Sequence, residues 1–151
     1  RGCSLRLCNV YGGLRESQSS DRGIIDKVFF KALAGETITI YNNGSYIRDY
    51  IYIEDVVRAI FKTFKHQNKV NGKKFFIGSG KGMKIKDAFY TAIKLAKSIT
   101  KKEPKVSFLD NPSALSLIEK RSFVANIDNF TNCTKWKPKY SLETGLIKSY
   151  F

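Results

Sequence analysis

Arg48 is the residue of this sequence whose type and position best suit chemistry, because it stands near the start of an apolar, β-branched segment. Its guanidinium is permanently charged and presents a rigid fork of donors that fits a carboxylate or a phosphate. Fixed at the start of a strand, such a fork suits charge-assisted binding of an anionic ligand. The simpler alternative is an ion pair with an adjacent acid such as Asp49, and the local sequence by itself favours that alternative.

The residues around Arg48 predict a turn, a strand and a helix in succession. Asn43-Gly44 can supply the positive φ angles of a tight hairpin turn. The strand that follows has an aliphatic and an aromatic-polar face, formed by Ile47, Asp49, Ile51 and Ile53 and by Arg48, Tyr50, Tyr52 and Glu54. Asp55 stands at the expected N-cap of a helix that runs to about Lys65.

The remaining hydrophobic pattern alternates between strand-like and helix-like segments. Residues 3–11 predict a strand buried on both faces, and shorter strands are predicted over 37–41, 74–77 and 105–109. Helices are predicted over 24–33, 85–96, 114–119, 128–133 and 141–150, with a loop over 67–72. Because no linker is long enough to divide the chain, we expect residues 1–151 to form one α/β domain.

Composition narrows the classes of partner. The net charge is +14, but the lysines are spread along the chain, so we expect no nucleic-acid partner and consider a phosphate-rich ligand compatible with the charge. No apolar run approaches the length of a membrane span, so no membrane association is expected. The three cysteines and the single histidine lack metal-ligand spacing, which predicts no metal site and favours a reduced, cytoplasmic location.

Five segments follow one another in an order that is specific as a set. They are Leu5–Gly12, Ala32–Tyr41, Arg48–Val56, Phe75–Gly80 and Trp136–Leu146. In that order they resemble LR-x-x-NVYGP, A-x-x-G-x-x-(I/L)-x-I-Y, RD-(Y/F/W)-(I/V)-(Y/H)-V-x-D, (F/Y)NIGSG and GW-x-P-x-x-SLE-x-GL. These are motifs of the extended short-chain dehydrogenase/reductases, the NAD-dependent nucleotide-sugar epimerases and dehydratases that resemble UDP-glucose 4-epimerase.

The resemblance implies a fold and a role for the chain. It implies the C-terminal portion of a Rossmann-type α/β fold, with the last parallel strands and a small mixed substrate-binding lobe. It implies NAD or NADP as cofactor, a nucleotide-diphosphate sugar as ligand, and an intact enzyme that can be a homodimer. In the family the Gly-rich cofactor loop and the catalytic Tyr-x-x-x-Lys precede the segment matched at 5–12. We therefore expect residues 1–151 to hold no catalytic residue and to be inactive alone, with the cofactor bound mainly by the preceding half.

The resemblance also assigns phosphate-binding residues. Arg48 matches the arginine that holds the diphosphate in the family, which makes ligand contact the better interpretation than an ion pair with Asp49. Asn9 matches an asparagine that hydrogen-bonds the substrate phosphates, although it could instead cap its own turn. Arg121 is a candidate for a second phosphate-binding arginine, but the spacing around it departs from the common pattern.

Two further sets of positions are assigned in the same way. Leu7 and Cys8 match positions whose backbone lies beside the nicotinamide. Thr39, Ile40 and Tyr41 match the stretch that lies along the nucleobase, with Tyr41 as a possible stacking face. Core packing explains Ile40 equally well.

Some features depart from the family or imitate its motifs. Phe76 replaces the Asn of NIGSG, and Gly13, Asn126 and residues 133–135 also differ from the family pattern. The sequence therefore does not identify the sugar or the nucleobase of the ligand. Tyr90 and Lys94 spell Tyr-x-x-x-Lys far from the expected position, and we interpret them as a chance match on a helix. The alternatives to the family interpretation are a basic nucleic-acid-binding module and a degenerate homologue that retains only the fold.

Overall fold

The computed structural model describes residues 2–13, 23–110 and 121–151, and helices alternate with strands along them. The strands are β1 (Ser4–Leu7), β2 (Asn9–Tyr11), β3 (Ile38–Tyr41), β4 (Ile47–Tyr52), β5 (Lys74–Ile77), β6 (Gly82–Lys84) and β7 (Val106–Leu109). The helices are α1 (Ile24–Ala34), α2 (Ile53–Lys65), α3 (Gln67–Val70), α4 (Ile85–Thr100), α5 (Asp128–Thr134) and α6 (Leu142–Tyr150). The predicted α/β class is confirmed, and the helix predicted over 114–119 lies outside the described residues.

β4 is the middle strand of a three-stranded sheet. It pairs in parallel with β2 on one side and antiparallel with β6 on the other. β1 pairs in parallel with β5, and β3 pairs in parallel with β7. The predicted parallel strands are therefore present, whereas the three-residue β6 was too short to be recognised from its hydrophobic pattern.

Alternate side chains of β4 enter two different hydrophobic clusters. Tyr50 and Tyr52 belong to the cluster that includes α1 and α4, while Ile51 belongs to a second cluster built around Trp136 and Phe130. Tyr50 is 7% exposed, Tyr52 5% and Ile51 1%. Both faces of the strand are therefore buried, including the aromatic face.

The single strand predicted over residues 3–11 is wrong. The chain forms β1 and β2 with Cys8 between them, because β1 pairs with β5 while β2 pairs with β4. The prediction of burial on both faces is also wrong for β1, since Leu7 is 48% exposed. Hydrophobic content alone could not reveal that the segment changes partner halfway along.

The turn at 42–44 exists, but it does not form a hairpin. Asn42 and Gly44 have φ angles of +52° and +59°, which a turn with positive φ requires. The strands on either side of it have different partners, since β3 pairs with β7 and β4 with β2 and β6. The turn thus transfers the chain from one sheet to another.

Asp55 is not an N-cap, which corrects the prediction for this residue. α2 begins at Ile53, directly after β4, and its N-cap is Tyr52. The Asp55 carboxylate is fully buried and forms an ion pair with Arg58. It also accepts hydrogen bonds from the backbone N–H groups of Lys139 (2.9 Å) and Tyr140 (3.0 Å). Asp55 therefore fastens the C-terminal segment onto α2.

The predicted start of the last helix is correct, whereas the loop predicted over 67–72 is not. Ser141 and Thr144 form a capping box at the start of α6, where the sequence predicts that a helix begins. The segment predicted as a loop contains the one-turn helix α3. A single turn of helix leaves too little hydrophobic periodicity to be detected.

Candidate functional site

An open pocket of about 530 Å³ collects most of the residues singled out in the sequence. We call it the arginine pocket, and its lining residues are Arg6, Leu7, Cys8, Asn9, Arg48, Phe76, Arg121 and Phe123. Five of the eight predicted site residues are among them. Three guanidinium groups and no acidic side chain occur among these described lining residues, so the pocket suits an anionic ligand.

The break between β1 and β2 places three of these residues at the pocket. Leu7 ends β1, Cys8 is the junction, and Asn9 begins β2. The Asn9 side chain donates to the carbonyl of Asp49 at 3.2 Å, which ties it to β4. Its Nδ2 group is therefore held by the neighbouring strand rather than by its own turn.

Arg48 lies at the second position of β4, and backbone carbonyls hold its side chain. Its Nη1 donates to the carbonyl of Ile47 at 3.1 Å and to the carbonyl of Arg121. This contact brings Arg121 to the same pocket although it is 73 residues away in the chain. The two predicted phosphate-binding arginines are thus adjacent in space.

Asp49 has a role different from the ion pair with Arg48 that the local sequence favoured. Its fully buried carboxylate accepts from the N–H groups of Ser79 (2.7 Å), Gly80 (3.0 Å) and Ala125 (3.1 Å). The Ser79 hydroxyl donates to the same carboxylate at 2.5 Å. Asp49 therefore fixes the Gly-rich turn, and the amides of that turn bind an internal carboxylate rather than a ligand phosphate.

Gly78 is required where this turn passes the pocket. A Cβ atom built on Gly78 would lie 2.5 Å from the Asp49 carboxylate and 2.8 Å from the Cys8 sulfur. Any larger residue would displace one of these groups. The glycine therefore allows β5, β4 and the β1–β2 junction to approach closely.

One wall of the pocket consists of two neighbouring aromatic rings, each with a guanidinium group over it. The sequence did not predict this arrangement. The rings of Phe76 and Phe123 are 5.4 Å apart between centroids. Arg6 lies over Phe76 and Arg121 over Phe123, each 5.8 Å from the ring centroid. The substitution of Phe76 for the family's Asn was the one signal in the sequence, but the pairing with Phe123 depends on tertiary contact.

Thr39, Ile40 and Tyr41 are not part of the arginine pocket. They lie on β3, paired with β7, where Ile40 is 1% exposed in the core and Tyr41 is 53% exposed. Tyr90 and Lys94 are on α4 and do not line the pocket either, as expected for a chance match.

Cys8 is held as a neutral thiol. Burial raises its pKa to about 12, and the nearby Asp49 carboxylate contributes by repelling a thiolate. At about pH 8.5 we expect iodoacetamide to alkylate Cys8 in the folded chain at least about a hundredfold more slowly than in urea. Mass spectrometry of the Cys8 peptide over time measures both rates. Similar rates in the two conditions would contradict the buried, neutral thiol.

Among the described residues, Leu7 and Cys8 have the apolar character that the nicotinamide end of NAD would fit. The half-exposed Leu7 side chain and the neutral Cys8 thiol offer an apolar edge at the pocket. The sequence contains no Gly-x-Gly-x-x-Gly segment to hold the pyrophosphate.

The described residues contain neither a metal-ligand cluster nor a membrane-spanning helix. Within 2–13, 23–110 and 121–151, no three His, Cys, Asp or Glu side chains gather as metal ligands. None of the helices in these ranges is both long and apolar enough to cross a bilayer.

Comparison with known proteins identifies the family to which this fold belongs. Residues 1–78 match the family model of the NAD dependent epimerase/dehydratase family. The dTDP-L-rhamnose 4-epimerase of Burkholderia thailandensis is 33% identical over 94% of this chain and 37% of its own length. The dTDP-glucose 4,6-dehydratase of Escherichia coli is 29% identical over 83% of this chain and 34% of its own length.

A solved structure extends the likeness to three dimensions. The UDP-glucose 4-epimerase of Thermotoga maritima, solved with UDP-glucose, superimposes with a TM-score of 0.73 and 30% identity, over 97% of this chain and 44% of that one. The chain spans about a third of the length of the curated relatives named above. From the family match, the order of the motifs and the fold together, the chain belongs to the NAD dependent epimerase/dehydratase family of extended short-chain dehydrogenase/reductases.

Proposed function

We propose that this chain is the nucleotide-sugar-binding part of an NAD-dependent epimerase or dehydratase of sugar-nucleotide metabolism. The observation that carries the proposal is the meeting of Asn9, Arg48 and Arg121 in one pocket. Guanidinium groups bind phosphate oxygens through charge-assisted, often paired hydrogen bonds. A diphosphate would lie between Arg48 and Arg121, with the Asn9 amide as an additional donor.

The same proposal gives the chain a role in binding rather than in proton transfer. The described lining residues of the arginine pocket include a neutral thiol, three arginines, an amide and apolar side chains, and none is a general base near neutral pH. NAD, when bound, supplies hydride acceptance, and the residues of this chain orient the sugar nucleotide toward it. We therefore expect no oxidation of a nucleotide sugar by this chain alone.

The nucleobase would extend beyond the arginine pocket. Tyr41 is exposed by half and offers an aromatic face at the end of β3, whereas Ile40 contributes to the core. This assignment predicts that the base contributes to affinity.

The test is calorimetric titration of the chain with UDP-, dTDP-, CDP- and GDP-sugars at millimolar ligand. We expect weak, saturable binding of one nucleotide class, because the pocket is open and offers few contacts. The free sugar serves as a control that lacks the diphosphate. Absence of binding by all four classes would contradict the proposed function and favour a degenerate homologue, and steep salt-dependent binding of an oligonucleotide instead would favour the basic-module alternative.

A further inference from the structure

Arg6 is the third guanidinium group of the arginine pocket, and the proposed binding of a diphosphate does not use it. Arg48 and Arg121 are held together, because Nη1 of Arg48 donates to the carbonyl of Arg121. These two guanidinium groups match the two negative charges of a diphosphate that links a nucleoside to a sugar. Arg6 lies over Phe76, whereas Arg121 lies over Phe123. Arg6 therefore provides a positive charge at a different part of the pocket wall.

The strand pairing and an aromatic ring position the Arg6 side chain. Arg6 is the register partner of Phe76 across β1 and β5, and its guanidinium carbon is 5.8 Å from the centroid of the Phe76 ring. A cation over an aromatic face is attracted by the negative charge density of the ring. The ring itself contacts Phe123, with 5.4 Å between the centroids. The guanidinium is therefore partly ordered before a ligand binds, which lowers the entropic cost of binding.

No carboxylate neutralises Arg6 in the part of the chain that the structure describes. None of the ion pairs formed there includes Arg6, whereas the Arg58 guanidinium is paired with Asp55. The buried Asp49 carboxylate accepts hydrogen bonds from the backbone and the hydroxyl of Ser79 and does not line the pocket. Among the described residues, the charge of Arg6 is thus left for an anionic group of the ligand.

The position of Arg6 along β1 places this charge near the sugar of the proposed ligand. Arg6 directly precedes Leu7 and Cys8, the residues whose apolar character fits the nicotinamide. Asn9, the proposed additional donor to the diphosphate, follows them at the start of β2. A sugar that is linked to the phosphate and held against the nicotinamide for hydride transfer would therefore present its ring substituents to this part of the wall. Arg6 and Phe76 are the residues that these substituents would meet.

We propose that Arg6 selects nucleotide sugars whose sugar carries a carboxylate, that is, nucleotide-linked uronic acids, by binding that carboxylate. This inference rests on the proposed function, since it concerns the sugar of the same ligand. A guanidinium and a carboxylate form paired, charge-assisted hydrogen bonds. A neutral sugar has a hydroxymethyl group in place of the carboxylate, and its hydrogen bond to Arg6 would be weaker. The three negative charges of a nucleotide-linked uronic acid would match Arg48, Arg121 and Arg6.

The experiment is calorimetric titration of the chain with matched acidic and neutral ligands. UDP-, dTDP- and CDP-glucuronic acid are compared with the corresponding glucose compounds, and GDP-mannuronic acid is compared with GDP-mannose. The members of each pair differ only at C6, where a carboxylate replaces a hydroxymethyl group. In the nucleotide class that the chain binds, we expect the acid to bind about tenfold more tightly, because a charge-assisted hydrogen bond replaces an uncharged one. Equal affinity within the pair would overturn the inference and leave the proposed function intact.

Three variants assign the preference to one residue. Arg6→Gln should abolish it, so that the acid and the neutral sugar bind within about twofold of each other, and the remaining binding shows that the variant is folded. Arg48→Ala should weaken both members of the pair to the same extent, because both contain the diphosphate.

Lys94→Gln is the control for charge alone. It removes an exposed positive charge of α4, away from the pocket, and should retain the tenfold preference. A preference that persists in Arg6→Gln, or that is also lost in Lys94→Gln, would overturn the inference. Absence of binding by every ligand, acidic and neutral, would contradict the proposed function itself and the inference with it.

Discussion

Asp49→Asn should lower the free energy of unfolding of the chain by about 3 kcal/mol and the melting temperature by about 6–12 °C. The Asp49 carboxylate is fully buried and accepts hydrogen bonds from the Ser79 hydroxyl and from the N–H groups of Ser79, Gly80 and Ala125. Asn has the same shape, but its amide –NH₂ would face N–H donors with no acceptor between them. Chemical denaturation followed by circular dichroism measures the loss.

The control is an acid of the same type on the surface. Asp87 is exposed in the first turn of α4, so Asp87→Asn should change the unfolding free energy by at most about 0.5 kcal/mol. If Asp49→Asn were as stable as Asp87→Asn, the four donors would have to be satisfied without the carboxylate. The interpretation of Asp49 as the residue that fixes the Gly-rich turn would then be wrong.

Arg48→Ala should weaken nucleotide-sugar binding by about tenfold to a hundredfold, whichever base the chain prefers. A charge-assisted hydrogen bond to phosphate is worth about 1.5–3 kcal/mol. Arg48 donates to the carbonyl of Arg121, the other predicted phosphate-binding arginine. The guanidinium is already positioned by the carbonyls of Ile47 and Arg121, so little ordering remains to oppose binding. Calorimetry with the preferred nucleotide sugar measures the change in affinity.

Two further variants distinguish the paired hydrogen bonds of the Arg48 guanidinium group from the effect of its positive charge alone. Arg48→Lys keeps the charge but loses the paired geometry, so it should recover only part of the affinity. Lys94→Ala removes one positive charge from the exposed surface of α4, away from the pocket, and should change the affinity by less than about twofold. Equal affinity of Arg48→Ala and the unchanged chain would mean that the diphosphate does not bind at this arginine.

Arg48 and Asp49 have different roles, the first in the proposed ligand binding and the second in stability. Arg48 and Asp49 are consecutive on β4, so their side chains point to opposite faces of the sheet. Arg48 lines the arginine pocket, while Asp49 holds the turn and Ala125 behind it. Binding should therefore be lost in Arg48→Ala with little change in stability, whereas Asp49→Asn should lose stability first.

Local sequence was sufficient where each signal was contained within one element. The alternation in 47–54 predicted β4, although the strand ends at Tyr52 and the last two positions begin α2. Ser141 with Thr144 predicted the start of α6, because helix caps involve residues a few positions apart. The motif order also pointed to the family, which the comparison confirms. Arg48, the second residue of this strand, is a predicted site residue because of the family motif, whereas its local sequence alone favours an ion pair with Asp49.

The tertiary structure decided everything that depends on residues far apart in the chain. Asp49 and Asp55 looked like an ion-pair partner and a helix cap, yet their carboxylates bind amides about 30 and 85 positions away. The strand predicted over 3–11 is two strands, because β1 pairs with β5 and β2 pairs with β4. Phe76 and Phe123 are far apart in the sequence and come into contact only in the folded chain. Buried carboxylates and aromatic pairs take whichever partners the packed core brings to them, and that information is not contained in local periodicity. Sequence alone thus determined the fold class and the central strand, whereas packing determined the arginine pocket.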